Sequence, residues 1–559
     1  MREEQIDLAG TRRALLSILK PERSFFWVVI AYSVAIGLLT LAVPIAVQTL
    51  INTIANLASP RAITILSVVL FCTLLLSGCF SALRMRVMEY YERRVYARLV
   101  AELSIRTVLA PHSYFEGRKN TSVTHRYFDI MTLQKNIPSL MVDGIALVLQ
   151  MLVGFTLVSF YHPFLLAFNL CVLLVMYAIW MLWSKQAKTS AVTLSESKYS
   201  TAKWLSNLAA AHEFIKSSSQ FDYVGKKTEG YIANYTACHS KHFSFTFKQV
   251  VMFLLLYGLA SAALLGLGGW LVVAGQLSIG QLVAAELIMS AVFLGLSRFS
   301  QYLKLYYELY GTADKLGGVF NIPQETLEYS SKPHPQSGAI QFNHVEIRHH
   351  REHCNLHLQI KDKSKIHMVT SANWIQKKLV NLLKRYETPD SGWINLGEHD
   401  LVDLDTYELR QAVMVLDRSL IIECKIEEYL KISAPKATSS QIQQALVDVG
   451  LAARINDFPQ GLQTSLSSVG SPLQPLEFIL LKLAVAMLIK PKVLILNQHF
   501  DAIPASKRVA LLTLIKQMDS TVVYFTNAPE SVPFDGVIEL QPALHAPHSA
   551  EAERRGEIA

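Results

Sequence analysis

The sequence predicts an α-helical membrane domain of six transmembrane segments, followed by a soluble α/β domain. Charged residues make up 17% of the 559-residue chain, against about 25% in soluble proteins, and the mean hydropathy is +0.28. Near residue 323 the pattern changes, because long apolar runs give way to a Pro- and Ser-rich stretch and then to short apolar runs. A chain of this length exceeds one ordinary domain, which agrees with two different parts.

The first part contains six apolar runs, each near or above the roughly 20 residues needed to cross a bilayer. They cover residues 25–51, 62–83, 140–161, 163–183, 250–273 and 279–299. Taken together, residues 25–322 are predicted to form the transmembrane domain.

The links between these runs differ in length and charge. Those at 52–60 and 274–278 are short and uncharged, whereas those at 84–139 and 184–249 are long and carry clusters of Arg and Lys. The positive-inside rule therefore places the long links and both termini in the cytoplasm. The expected location of the chain is a plasma (bacterial inner) membrane. Because the basic residues flank apolar runs, the net charge of +8 indicates membrane flanks and argues against a nucleic-acid partner.

The two ends of the chain carry weaker patterns. Residues 1–24 mix Leu with Arg and Lys, which is typical of an amphipathic helix on a membrane surface, a solvated tail being the alternative. The mixed charges at the start do not match a signal peptide. Residues 542–559 lack an apolar pattern and are expected to be disordered.

The two long links are expected to be largely helical, so the membrane helices should continue beyond the lipid. Each link has a break midway, at 111–118 and at 208–223. The six cysteines show no CxxC pair and no metal-site spacing, which indicates small apolar side chains and predicts no metal site.

After a linker at 323–338, residues 339–541 are predicted to form the α/β domain. Residues 340–347 alternate in polarity like a strand with one exposed face. Compact apolar runs at 413–416, 492–496 and 521–525 are typical of buried parallel strands. Helical patterns over 440–449 and 476–489 lie between them.

Residues 366–386 have the layout of a strand, a turn and a helix, the frame of a phosphate-binding loop that reads GxxxxGK[ST]. The predicted turn, Thr370 to Lys378, contains no glycine. Gln376 stands at the Lys position, and Lys377 and Lys378 stand at the hydroxyl positions. The two lysines could attract phosphate as point charges, or could simply lie on a helix surface.

The order of these motifs resembles that of an ATP-binding cassette (ABC) exporter half-transporter, of the kind found in type I secretion, lipid and multidrug exporters. The segments that carry the resemblance in the cassette are residues 338–348, 386–392, 397–401, 404–410, 458–461, 469–471 and 484–496. The resemblance implies a type 1 exporter membrane fold, a P-loop-NTPase-like cassette and a dimer.

The resemblance also assigns roles that the residues present do not match. The positions in question are the Gln near Mg²⁺ and water at Asp417, the LSGGQ signature at Leu473, Gln474, Pro475, Leu476 and Glu477, the Mg²⁺-binding Asp at Asn497, the general-base Glu at Gln498 and the switch His at Asn527. At the position of the adenine-stacking aromatic, His349 is a candidate for nucleotide binding, because an imidazole ring can stack. A glutamine amide cannot accept a proton as a base, and asparagine binds Mg²⁺ less well than a carboxylate. The sequence therefore predicts no catalytic residue and no cofactor, with residual ATP binding without hydrolysis as the alternative.

A shifted alignment is the other explanation for these differences, but no GK[ST] occurs anywhere in the chain. The breaks in the long links, with Ser113, Tyr114, Phe115 and Glu116 in one and Phe214 in the other, resemble the family's coupling helices. They are expected to dock on a cassette, simple hairpin packing being the alternative.

Two functions remain open at this point. The chain could be the silent subunit of a transporter, in a heterodimer with an ATPase-competent half-transporter. It could instead be a homodimeric scaffold, or a regulatory or assembly protein of a membrane complex. In both cases the lipid bilayer is a partner.

Overall fold

The computed structural model describes residues 10, 13, 16, 20–40, 42–56, 60–116, 122–217, 220–320, 322–325, 332–527 and 532–544. The chain forms two compact units, Met1–Glu325 and Thr326–Ala559, which are described in turn. Most of the predicted amphipathic helix over 1–24 lies outside the described residues.

The first unit is entirely helical where it is described. Its helices are α1 (Arg23–Thr40), α2 (Ala42–Asn56), α3 (Pro60–Val108), α4 (His112–Glu116), α5 (Ser122–Ser139), α6 (Ile145–Ser159), α7 (Pro163–Ala210), α8 (His212–Ser217), α9 (Phe221–Val273) and α10 (Ile279–Phe320), with a short 3-10 turn at Lys20–Glu22 and a π-helical turn at Leu140–Gly144. Within the described residues, six segments are long and apolar enough to cross a membrane, which confirms the six predicted runs.

Four helices run far beyond the length of a membrane crossing. Helices α3, α7, α9 and α10 contain 49, 48, 53 and 42 residues, against roughly 20 for a crossing. In the polar part of α3, ion pairs one turn apart support the helix, at 2.5 Å between Arg93 and Glu89 and 3.0 Å between Arg106 and Glu102. The prediction that membrane helices continue into the long links is confirmed.

Helix caps stabilise the chain at two of the short links, at the starts of α7 and α10. His162 accepts a hydrogen bond from the Phe164 amide at 3.2 Å, and Pro163 begins α7, where its missing N–H costs nothing. Before α10, Ser278 and Gln281 cap each other, since each backbone amide donates to the other's side chain at 2.8 and 3.1 Å. These caps fix both turns with very few residues.

Buried polar side chains join the membrane helices to one another. The Asn169 amide nitrogen of α7 donates to the Phe155 carbonyl of α6 at 3.0 Å. Gln249 of α9 bonds to Tyr307 of α10 at 3.0 Å. Such contacts stabilise helix pairs where lipid and protein interior are equally apolar.

Each predicted break in the long links contains a short helix. In α4, Tyr114 and Phe115 contact each other edge to face at 5.3 Å and pack at the margin of an apolar cluster, while Ser113 is exposed. Glu116 is the last residue of α4. In α8, Phe214 is 62% exposed.

The second unit contains two five-stranded sheets and a two-stranded ribbon. Its strands are β1 (Ile340–His349), β2 (Glu352–Ile360), β3 (Lys365–Thr370), β4 (Ser391–Leu396), β5 (His399–Asp400), β6 (Val413–Leu416), β7 (Cys424–Lys425), β8 (Ser465–Leu466), β9 (Val493–Leu496), β10 (Thr521–Phe525), β11 (Gly536–Leu540) and β12 (Ala543–Leu544). The first sheet is antiparallel, in the order β12-β2-β1-β4-β5, and the second is parallel, in the order β11-β3-β10-β9-β6.

Helices cover the parallel sheet and complete this unit. They are α11 (Asn373–Leu383), α12 (Thr406–Ala412), α13 (Ile426–Ser433), α14 (Ser439–Asp448), α15 (Ala452–Asn456), α16 (Pro475–Ile489) and α17 (Ala505–Lys516), with 3-10 turns at Gly461–Gln463 and Gln498–Ala502. The predicted α/β class is confirmed, and so are the three apolar runs, because every residue of β9 and β10 is buried.

Two details differ from the sequence predictions. Strand β1 does not simply alternate, because its pairing register shifts between Phe342 and Val345 and both Phe342 and Asn343 are buried. The tail predicted to be disordered from 542 begins with ordered residues, since Ala543 and Leu544 pair with β2. Residues 545–559 lie outside the described part of the chain.

Candidate functional site at the carboxyl edge of the parallel sheet

The candidate site lies where the parallel strands end. The Asn497 amide donates to the Leu416 carbonyl at 3.3 Å, and the Thr526 amide donates to the Met368 carbonyl at 3.2 Å. These bonds bring the ends of β9, β6, β10 and β3 to one edge. In open parallel sheets, ligands bind beyond this carboxyl edge.

The turn between β3 and α11 is far shorter than predicted. Strand β3 ends at Thr370 and α11 begins at Asn373, so only two residues connect them. The predicted turn from Thr370 to Lys378 is wrong because the apolar helical spacing already begins at Ile375, which is fully buried. A two-residue connection leaves no loop of backbone amides that could enclose a phosphate.

Gln376 lies in the second turn of α11 and is 5% exposed. Its side chain belongs to the buried face of the helix, together with Ile375 and Leu379. A lysine that contacts phosphates must reach solvent at the strand edge, and Gln376 does not occupy such a position.

Trp374, in the first turn of α11, covers His349. The two rings lie nearly parallel, with centroids 5.4 Å apart and planes at 23°. The indole nitrogen also donates to the Glu352 carboxylate at 2.5 Å, which fixes the ring from a second direction. Hence the ring that the sequence offered for adenine stacking is already stacked on a side chain of the same chain.

The two lysines of α11 differ in their surroundings. Lys378 pairs with the Glu387 carboxylate, which also accepts a bond from Asn381 at 2.7 Å. Its charge is therefore compensated within the domain. Lys377 is exposed on the helix surface.

Asp417 follows β6 and lies against Lys482 of α16. The Lys482 ammonium donates to the Asp417 carboxylate at 2.8 Å and to the Ser419 hydroxyl at 2.7 Å, and Lys482 is 4% exposed. Burial acts to raise the pKa of Asp417, but the charge and hydrogen bond of Lys482, with bonds from Ser419, outweigh it and lower that pKa. The residue at the predicted Gln position is thus an ionised carboxylate held in an ion pair.

Three amide side chains occupy the end of β9 and β10. Asn497 caps the following 3-10 turn by accepting from the His499 amide at 3.2 Å. Gln498 donates to the Asn527 side-chain oxygen at 3.2 Å. The structure therefore brings together the residues predicted at the base and switch positions, but as a pair of neutral amides without a titratable group.

Asp501 lies beside this amide pair, and its hydrogen bonds link the turn after β9 to the end of β10. Its carboxylate accepts bonds from the Thr526 hydroxyl at 3.1 Å and the Asn527 amide at 3.2 Å, and from the Tyr524 hydroxyl. Every acceptor atom of this carboxylate thus has a partner inside the domain.

The residues at the predicted signature position form the start of α16. Pro475 is the first helical residue and has no N–H to donate. The Gln474 amide donates to the Glu477 carboxylate at 2.8 Å, and Arg454 pairs with the same carboxylate at 3.2 Å. Leu473 is 5% exposed and packs in the core, while Leu476 packs at its margin.

This arrangement matters because a helix N-terminus attracts anions. At α16 a carboxylate of the chain itself, that of Glu477, already holds this place. A phosphate would have to displace it.

Sequence reasoning missed Trp374, Glu387 and Lys482. The sequence does contain a signal for Lys482, because it is the only charged residue in the otherwise apolar stretch from Phe478 to Ile489. A charge in such a stretch indicates a buried partner. Trp374 gave no comparable signal, because its contacts with His349 and Glu352 join separate segments. Glu387 gave none either, because its contacts with Lys378 and Asn381 depend on how the chain turns at the end of α11.

Comparison with known proteins shows which family the membrane unit is similar to. Residues 26–296 match the family described as the ABC transporter transmembrane region. Over these residues the membrane unit is similar to an ABC transporter transmembrane region. This match covers nearly all of the predicted transmembrane domain.

Most of the chain is similar to ATP-binding proteins of leukotoxin translocation. It is 22% identical over 495 residues to the leukotoxin translocation ATP-binding protein LktB of Mannheimia glucosida, and equally so to LktB of Bibersteinia trehalosi and of Mannheimia haemolytica. Each alignment covers 86% of this chain and 69% of the relative.

A solved structure, that of a bacterial Atm1-family ABC exporter with ATP bound, superposes with a TM-score of 0.80 at 16% identity. The alignment covers 96% of this chain and 98% of that one. The resemblance to an ABC exporter half-transporter is therefore confirmed, and the chain is an ABC exporter-like, multi-pass membrane protein. The loss of nucleotide chemistry in its cassette stays a prediction.

Proposed function

We propose that this ABC exporter-like chain is a subunit whose cassette does not hydrolyse ATP, and that it works beside a second, ATPase-competent half-transporter. The observation that carries the proposal is the carboxyl edge of the parallel sheet, where side chains of the chain itself fill the positions that would contact a nucleotide. The silent subunit would supply half of the membrane pathway, and its partner would supply the hydrolysis.

Phosphoryl transfer depends on positioned cations, a metal and a base. At this edge Gln498 and Asn527 bind each other, and Asn497 caps a turn. None of these three amide side chains can take a proton from water, a role that contributes roughly 10²- to 10⁴-fold to rate. The residues present do not fit a hydrolysed Mg²⁺-triphosphate.

The contacts of Trp374 and the short turn after β3 also disfavour ATP binding. A base that stacks on His349 would have to displace Trp374 and break its bond to Glu352. A terminal phosphate would meet a two-residue turn in place of a loop. Residual ATP binding is the alternative within this proposal, with the exposed Lys377 and the half-buried Lys378 of α11 as the lysines nearest the turn.

A second function is supported by the start of α16. In a cassette dimer the signature of one chain completes the ATP site of the other, as the family resemblance implies. With Pro475 at the helix start and the Glu477 carboxylate in the anion position, this chain would contribute poorly to a partner's site. A homodimeric scaffold, or a regulatory or assembly protein of a membrane complex, would need no such contribution.

Both functions share the same setting. The chain would lie in a bacterial inner membrane with both termini in the cytoplasm, as the basic long links favour. The short helices α4 and α8 would dock on a cassette, with exposed Phe214 as a contact.

The first test is ATP turnover and ATP binding by the purified full chain in lipid nanodiscs. We expect no turnover above background and a dissociation constant for Mg·ATP weaker than about 1 mM, which corresponds to about −4 kcal/mol. A turnover of roughly one per second from the chain alone, an ordinary enzyme rate, would contradict both functions.

The second test separates the two functions by co-purification from the native membrane under mild solubilisation. Recovery of a second chain with intact nucleotide motifs, together with an ATPase rate that the pair has and this chain lacks, supports the silent subunit. Recovery of homodimers without such a chain supports the scaffold.

Trp374→Ala tests the role given to the indole. If stacking on His349 is what excludes adenine, this variant binds ATP more tightly than the wild type. The matched control is Trp393→Ala, since Trp393 is 51% exposed on β4 of the same domain. Equal affinity in both variants would remove Trp374 from the explanation.

A further inference from the structure

The membrane unit contains an apolar cavity that the proposed function does not use. Its volume is about 440 Å³, within the range of about 300–1,000 Å³ found for ligand sites. It lies between the start of α6, the middle of α7 and the middle of α10. Its lining is almost wholly apolar and aromatic, and includes Leu140, Val148, Tyr177, Trp180, Tyr302 and Tyr306.

The cavity is open to the outside of the chain. Tyr177 is 57% exposed and Val148 is 37% exposed, so both side chains are accessible from the surrounding medium. The apolar runs that contribute to it are those at 140–161, 163–183 and 279–299, and each contributes near its basic end. The opening therefore lies at the level of one lipid leaflet, near its head groups.

Lys188 stands next to this cavity among three aromatic rings. Its ammonium lies 5.6 Å from the ring centre of Trp180, 5.3 Å from that of Tyr306 and 5.0 Å from that of Tyr310. Trp180 and Tyr306 also line the cavity, so the same rings contact both the cation and the apolar space. In the part of the chain that the structure describes, Lys188 forms no ion pair with a carboxylate.

These features match one kind of ligand. An apolar space of this shape takes a hydrocarbon chain, because the chain makes van der Waals contacts with the lining and leaves no polar group of the cavity unsatisfied. A half-buried ammonium without a carboxylate partner favours an anion, and basic groups near a membrane surface bind anionic lipid. The aromatic rings hold the cation in place at the end of its flexible stem.

We propose that this cavity binds an acyl chain of an anionic phospholipid from the leaflet at the basic ends of the helices, with the lipid phosphate beside Lys188. The site rests on the membrane unit alone and does not depend on whether the cassette binds ATP.

The test is photo-crosslinking in nanodiscs without nucleotide, using the full chain. The probe is phosphatidylglycerol with a diazirine in its acyl chain, and the comparison probe is phosphatidylcholine with the same chain. Cross-linked peptides are mapped by mass spectrometry. We expect phosphatidylglycerol to label the peptides that contain Tyr177, Trp180 and Tyr302 about fivefold more than phosphatidylcholine does, which corresponds to about 1 kcal/mol for one Lys near an anionic surface.

Two pairs of variants separate the parts of the site. Val148→Trp fills the cavity, and Val175→Trp is its control, because Val175 is an equally exposed valine at 36% that does not line the cavity. Lys188→Gln removes the cation, and Lys185→Gln is its control one helical turn away, where the side chain is exposed. Circular dichroism and size-exclusion profiles show whether each variant folds.

The proposal predicts that Val148→Trp abolishes labelling of the cavity peptides by both probes, whereas Lys188→Gln removes only the preference for phosphatidylglycerol. Both controls should label as the wild type does. Equal labelling of Val148→Trp and Val175→Trp would overturn the cavity as the site, and an unchanged preference in Lys188→Gln would overturn the role of the cation. Should Val148→Trp fail to fold, the Lys188 pair decides alone.

Discussion

The interior of the parallel sheet and its carboxyl edge differ in what their residues do. Inside the sheet, every residue of β9 and β10 is buried, as is usual for the central strands of an α/β domain. At the edge, a few ångströms away, amides pair with amides and charges pair with charges. Under the proposed function, this comparison teaches that a fold can persist without the chemistry that the same fold supports elsewhere, because packing and site chemistry depend on different residues.

The largest loss of stability is expected from a substitution in the interior of the parallel sheet. Ile495, which is fully buried in β9, contacts the core beneath α11. Ile495→Ala should lower the free energy of unfolding of the cassette by about 2–5 kcal/mol, through lost burial and the cavity left behind. Thermal unfolding of the full chain, followed by tryptophan fluorescence, measures this. Val537→Ala, at a site 54% exposed on β11, should change it by less than about 0.5 kcal/mol.

The next largest loss of stability is expected from breaking the ion pair between Asp417 at the sheet edge and Lys482 of α16. Lys482→Met leaves the Asp417 carboxylate without its partner and should cost about 3–5 kcal/mol. The double variant with Asp417→Leu should recover most of that loss, since an apolar pair replaces the charged one. If Lys482→Met were as stable as the wild type, the pair would not hold the sheet edge to α16.

The same pair predicts a dependence on acid. The folded-state pKa of Asp417 lies below its ordinary value of 3.8, so its stabilising contribution is complete above that value. It is lost as the pH falls below 3.8 through the folded-state pKa. The difference in melting temperature between the wild type and Asp417→Asn should therefore be constant from pH 7 to 5 and shrink below pH 4. A difference that grows on acidification would contradict this sign.

A smaller effect is expected at the start of α16. Glu477→Ala removes the carboxylate that accepts from Gln474 and pairs with Arg454, and should cost about 1–2 kcal/mol, as loss of a helix cap does. Glu423→Ala, at an exposed site, serves as the control. Equal melting temperatures for the two variants would show that the carboxylate does not stabilise the helix start.

The smallest effect should follow from restoring one catalytic residue. Gln498→Glu returns a carboxylate to the base position, yet the turn after β3 and the start of α16 stay closed. We expect no gain in ATP turnover over the wild type in a phosphate-release assay. A tenfold gain would mean that the edge needs only a base, and that the other substitutions matter little.

The sequence predicted the six membrane segments and the parallel strands well, because apolar length and buried runs are local signals. It also predicted short helices near residues 113 and 214 from breaks in long helical patterns. It failed on the turn after β3, since a loop was expected where the spacing of Ile375, Leu379 and Leu382 already favours a helix. The contacts of Trp374 with His349 and of Glu477 with Arg454 could not be predicted, because they depend on how distant segments meet.

The length of α9 has a mechanical consequence. Its 53 residues span about 80 Å at 1.5 Å per residue, so each degree of tilt about one end moves the other by roughly 1.4 Å. A stiff rod of this kind acts as a lever: small rearrangements among lipid-embedded side chains become displacements of several ångströms at the far end. Motion can thus pass along the protein in either direction through a single continuous helix.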